Sequence, residues 1–193
     1  MSFESADESA VLRRIRRAIR DADAGALAER VYDLDTLLMM CGYFSAPLFE
    51  ELLAIIREPE FLKMEGSWQL LRLFENSWDY LSEEQRGELL AAMEASYGQF
   101  ADWMACFVIS EILGRQYADE RALQSFSRLR KLGALNQRSL VPHGLEHIVK
   151  GSQDKDVARR AFDELSKMRA DSSEQVRGEV DASLARLANM GWK

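Results

Sequence analysis

Apolar residues recur at intervals of three and four along the whole chain, and no stretch alternates convincingly at period two. A 3.6-residue period lays one apolar stripe along a helix, whereas a half-buried strand requires strict alternation. An all-α fold is therefore expected. Three prolines in 193 residues leave these patterns almost uninterrupted. The periodicity predicts about ten helices, over 6–20, 24–40, 46–58, 67–80, 83–97, 100–114, 118–132, 139–150, 154–169 and 172–189. Ser82 and Ser172 each stand three residues before a glutamine, the spacing of a capping box. Pro47 and Pro142 suit a first helical turn, where a missing N–H costs nothing. Loops are short and no Pro/Ser-rich linker interrupts the chain, so a single helical-repeat domain spanning 1–193 is expected.

With 47% hydrophobic and 30% charged residues, the chain has enough apolar material for a core and too much for a disordered segment. No apolar run approaches the ~18 residues of a membrane helix. The opening MSFESADESA is acidic and lacks an apolar stretch, so no secretory leader is read there. Cys41 and Cys106 both fall within apolar helical patterns and are expected to be buried free thiols of a cytoplasmic protein.

A repeat emerges at a shift of 36 residues, which aligns Leu73, Ile109 and Leu145, then Leu90, Phe126 and Phe162, then Met93, Leu129 and Leu165. The first trio lies on the leading helix of three successive pairs, the other two on the following helix. Such hairpins cannot bury their apolar faces alone and must stack. Phe126 and Phe162 should then occupy equivalent core positions. The last unit is the most specific: Leu140-Val141-Pro142, Leu145, Ile148, then Asp154 to Ala161, and Leu165. This segment resembles a HEAT-type repeat, with its early proline, its Asp-x-x-Val-Arg-like turn and the following Ala and Leu. Ala158 intervenes between Val157 and Arg159, and the 36-residue interval is shorter than the family's roughly 40–47. The resemblance implies a HEAT-like α-solenoid of stacked helical hairpins; a compact irregular helical domain is the alternative.

Net charge is −7, unevenly spread: residues 31–120 carry 17 acidic and five basic side chains, residues 121–193 nine acidic and 14 basic. An acidic centre repels phosphates and attracts basic surfaces. The expected partner is a protein with a basic surface, with neither nucleic acid nor membrane as a target. The expected binding residues are Trp68, Glu75, Asp79, Glu84, Glu88 and Glu94, with Trp68 as an exposed anchor beside outward-facing carboxylates.

Other features invite chemistry. His143-Gly144-Leu145-Glu146-His147 has the H-x-x-E-H order of certain zinc peptidases. At about 100° per residue, however, His143 and His147 project opposite Leu145, Ile148 and Val149, towards solvent, and no zinc site is expected. Arg13, Arg16, Arg17 and Arg20 share one face of a first helix, with Val11, Ile15 and Ile19 on the other, the pattern of a capping helix with a polar outer side. Residues 100–114 are apolar nearly all round and belong in the middle of a core. Glu111 within them is a buried acid, pairs with an arginine or reaches the surface. The chain has no phosphate-binding glycine loop, Cys-x-x-Cys pair or nucleophile elbow, and no cofactor is expected.

In size, acidity and helical-repeat build the chain is similar to bacterial toxin-immunity proteins, which implies an inhibitor that binds and blocks a cognate toxin. A scaffold or adaptor solenoid is the alternative. A helical-repeat enzyme acting on DNA bases would need a basic concave face, which the acidic centre opposes.

Overall fold

The computed structural model describes residues 3–131 and 134–192, and no strand occurs among them. The helices are α1 (Phe3–Arg20), α2 (Ala24–Cys41), α3 (Ala46–Ile56), α4 (Pro59–Lys63), α5 (Trp68–Asn76), α6 (Glu83–Ser96), α7 (Trp103–Glu111), α8 (Glu120–Leu129), α9 (Leu135–Arg138), α10 (Val141–Gly151), α11 (Lys155–Lys167) and α12 (Glu174–Ala188). The last turn of α7 widens into a π-helical segment, Ile112–Tyr117. The fold is all-α, and no described helix is long and apolar enough to cross a membrane.

Local chemistry accounts for the boundaries. Ser82 caps α6 with both bonds of a capping box: its hydroxyl accepts from the Gln85 N–H at 3.2 Å, and its own N–H donates to the Gln85 carboxamide at 2.9 Å. No such box forms at α12. Ser173 rather than Ser172 is the cap there, and three residues on stands Val176, whose N–H the Ser173 hydroxyl accepts. Pro47 and Pro142 sit in first turns, as expected. Two short helices escaped the periodicity, α4 and α9, each too brief to show a repeating stripe. The helix expected from residue 100 begins at Trp103, because the Asp102 carboxylate accepts from the N–H groups of Met104 and Gly66, both at 2.8 Å. The helix expected to reach 132 ends at Leu129; Leu132 lies outside the described residues.

The chain divides into two compact units, Met1–Val108 and Ile109–Lys193. In the first, α1 packs on α2, α3 and α4, while α2 lies against α5 and α3 against α6. Val11, Ile15 and Ile19 of α1 are buried. Arg16 ties the helix down by ion pairs with Glu51, at 2.6 Å, and Glu58. The core is aromatic: Phe44, Phe49 and Phe74 meet with ring centroids 5.6–6.4 Å apart, and Phe61 meets Phe100 edge-on at 5.9 Å. Cys106 is buried there, its thiol pushed up to about 12 by desolvation. Cys41 is only half-buried, against expectation, because it closes α2 at a surface turn.

In the second unit α10 is central, touching α8, α11, α12 and the π-helical segment. Asp154 caps α11 by accepting from the N–H groups of Asp156 and Val157, and Val157, Ala158, Ala161 and Leu165 are buried. The Asp-x-x-Val turn thus forms, and α10 and α11 pack as a hairpin.

Eight of the nine positions aligned by the 36-residue shift are buried, and Phe162 is half-buried. Phe126 is fully buried with its ring against Gly144, whereas half-buried Phe162 stacks on Trp192 at 5.7 Å. The expected equivalence of these two rings therefore fails: one faces a neighbouring helix, the other the chain's C-terminal end.

Candidate functional site

The second unit gathers its chemistry where the end of α7 meets α10. Two glycines permit the approach. A Cβ on Gly114 would come within 2.6 Å of the Gly144 carbonyl oxygen and 2.7 Å of the His147 Cβ, and one on Gly144 would collide with the Phe126 ring. With no side chain at either position, the π-helical segment lies directly on α10, bringing Glu111 over His143 and His147. π-Helical turns of this kind recur at functional sites.

Glu111 is 6% exposed. Its Oε1 lies 3.1 Å from an Arg115 guanidinium nitrogen and 3.7 Å from His143 Nε2. His143 Nε2 and His147 Nε2 are 3.3 Å apart, and Arg115 Nε approaches His147 Nε2 at 3.4 Å. Glu111, His143 and His147 each offer one ligand-type atom, all within 4.8 Å of one another. Burial lowers both imidazole pKa values. For His143 the Glu111 carboxylate opposes the shift, while for His147 the neighbouring His143 and Arg115 add to it and bring the value to about 4. Near neutral pH the two rings are uncharged, and each carries a lone pair.

The outward placement read from the helical projection is therefore corrected: both histidines are half-buried beneath the end of α7. Glu146, the acid within the H-x-x-E-H order, is engaged elsewhere. Glu146 is 2% exposed, and its carboxylate is clasped by Arg186 at 2.7, 2.9 and 3.0 Å and by Lys150. Burial works against ionisation of Glu146, but hydrogen bonds from Arg186, Lys150 and Ser183 outweigh it and hold the carboxyl at about 2. A carboxylate engaged in this way is no general base. The acid that accompanies the histidines is Glu111. Neither Arg115 nor the glycine pair was singled out in the sequence, although glycines inside helical patterns signal close backbone approach.

The first unit presents a surface. Among the expected binding residues, Asp79, Glu84 and Glu88 are exposed, Glu94 is half-exposed, and Leu90 and Met93 opposite them are buried. Two placements are corrected. Trp68 is half-buried rather than an exposed anchor, because α5 packs against α2. Glu75 is 11% exposed and paired with Arg72 one turn back, rather than facing out. Large apolar side chains do stand in water elsewhere: Tyr32, Met39, Met40 and Tyr43 are 52–80% exposed. The first three share the face of α2 opposite its buried Leu27, Leu34 and Leu38. The turn after α2 is tied to the start of α6, since the Phe44 N–H donates to the Tyr80 carbonyl at 3.3 Å and Gln85 Nε2 to the Phe44 carbonyl at 3.2 Å. The apolar stripe thus ends beside the acidic first turn of α6, Glu83-Glu84. A stripe at i, i+7 and i+8 opposite a leucine face was legible in the sequence.

Comparison with known protein families, curated proteins and solved structures finds no match to this chain.

Proposed function

We propose that this protein is a non-enzymatic binding module whose first unit docks onto a basic protein surface. The observation that carries this is the exposed stripe Tyr32, Met39, Met40 and Tyr43, bordered by exposed acids. Tyr and Met are over-represented at interfaces, Tyr as a rigid anchor and Met as an adaptable one. The first unit holds 20 acidic and ten basic residues, a net −10, which favours a basic partner and disfavours nucleic acid or an anionic membrane.

In its sharper form, the module is an inhibitor of the immunity-protein type that blocks a cognate toxin in the cytoplasm. Small size, acidity and helical build support this, as do two free thiols. The α10–α11 hairpin, with its Asp154 cap, supports a HEAT-like architecture. A scaffold would use the same surface and differ in leaving its partner's activity intact.

The test is a photo-crosslinker placed at residue 43, identification of the captured protein, then binding kinetics against salt. Tyr32→Ala with Met40→Ala should speed dissociation. Glu84→Lys with Glu88→Lys should slow association, and wild-type association should weaken as the Debye length shrinks from ~10 Å at 0.1 M to ~3 Å at 1 M. Salt-independent binding that all four substitutions leave unchanged would rule out this surface. Loss of the partner's activity on binding separates inhibitor from scaffold.

A further inference from the structure

We propose that Glu111, His143 and His147 form a three-ligand site for a borderline divalent cation such as Zn²⁺, pinning the end of α7 to α10. Tetrahedral zinc at bond lengths of about 2.0–2.1 Å sets its ligand atoms about 3.3–3.4 Å apart. The two histidine Nε2 atoms stand 3.3 Å apart and His143 Nε2 lies 3.7 Å from the Glu111 carboxylate, so two edges of that tetrahedron nearly exist already. The third, from Glu111 to His147, is no more than 4.8 Å. Histidines at i and i+4 on one helix chelate without backbone movement. Imidazole and carboxylate together suit zinc, cobalt or nickel better than calcium or magnesium, which prefer oxygen alone.

The cluster already receives a cation. The Arg115 guanidinium lies 3.1 Å from Glu111 and 3.4 Å from His147 Nε2. Its side chain is 52% exposed, so it can swing into water when an ion enters. Arg115 is then a competitor for the metal, and the fourth coordination position faces the space it leaves. Since Glu146 is held by Arg186 and Lys150, no base flanks a water bound there, and the site's role is to clamp the two helices.

The experiment uses the full chain without an affinity tag, stripped with chelator and titrated with Zn²⁺ by calorimetry and with Co²⁺ by visible absorption. One ion per chain is expected, with a four-coordinate Co²⁺ spectrum and a rise in Tm on Zn²⁺ addition. His147→Ala and the near-isosteric Glu111→Gln should each weaken binding by at least about tenfold, with helicity retained by circular dichroism. Arg115→Ala should tighten it. Absence of binding at 0.1 mM Zn²⁺ in the wild type would overturn the site, including the case in which only Arg115→Ala binds, since the guanidinium would then be the resident cation. Binding that survives His143→Ala and His147→Ala would overturn it too, by placing the ion elsewhere.

Discussion

The two units solve the same problem, burying one face of each helix, with opposite use of charge. The first buries aromatic rings, and among its described residues the buried polar side chains are the serines Ser67, Ser77 and Ser96, with no buried carboxylate, although its net charge is −10. The second, with 12 acidic and 15 basic residues and a net +3, draws two carboxylates, Glu111 and Glu146, into its interior. A buried charge is tolerated only when paired, and each of these has an arginine. In the first unit the ion pairs of Arg16 lie at a partly exposed surface, while in the second the carboxylates of Glu111 and Glu146 are buried in internal contacts that fix how helices meet.

If the cores are equally apolar where it matters, truncating a fully buried ring should cost the same in either unit. Phe74→Ala in the first and Phe126→Ala in the second should each destabilise by about 3–5 kcal/mol in chemical denaturation. Phe162→Ala, at a half-buried ring stacked on Trp192, should cost less than half as much. Equal losses at Phe126 and Phe162 would restore the equivalence that the 36-residue spacing suggested.

The contrast in charge use is sharpest in a pair of arginine truncations. Arg186→Ala leaves the buried Glu146 carboxylate with only Lys150 and Ser183 of its three hydrogen-bonding side chains and should cost about 2–3 kcal/mol. Arg16→Ala in the first unit breaks pairs whose side chains are about a third to a half exposed. It should cost no more than about 1 kcal/mol. Comparable losses would mean that the second unit's buried charges are not specially placed.

A smaller effect follows from Asp171 in the second unit. Burial opposes its ionisation, but the Ser173 N–H at 2.9 Å and the Arg138 guanidinium at 3.0 and 3.2 Å outweigh that and hold it below the ordinary 3.8. A folded pKa lower than the unfolded one contributes stability that is complete above 3.8 and is lost as pH falls through the folded value. Asp171→Asn should flatten the acid limb of stability against pH below 3.8 and lower stability at neutral pH. An acid limb unchanged by Asp171→Asn would remove this pair from the second unit's internal charge network.

What could be read in the chain divides along physical lines. Helix placement followed from periodicity and caps, because both are local: the Ser82–Gln85 box and Pro47 act within one turn. The short α4 was invisible because five residues cannot display a 3.6-residue period. Outward Glu84 and Glu88 were legible from their position opposite Leu90 and Met93. Glu75 and Trp68 were not, since α5 is covered on a second side that its own stripe does not announce.

The histidine pair shows the boundary most clearly. The sequence by itself determined that the protein is all-α, that α10 carries an apolar stripe and that His143 and His147 lie together one turn apart away from Leu145 and Ile148. Only the tertiary structure decided that this other side is not solvent. A projection ranks the faces of one helix by their own side chains, whereas burial depends on which neighbour arrives. Here the arrival is set by two missing Cβ atoms, at Gly114 and Gly144, on helices 30 residues apart. They let the π-helical segment and the last residues before it lie over the imidazoles, which brings Glu111 and Arg115 to them.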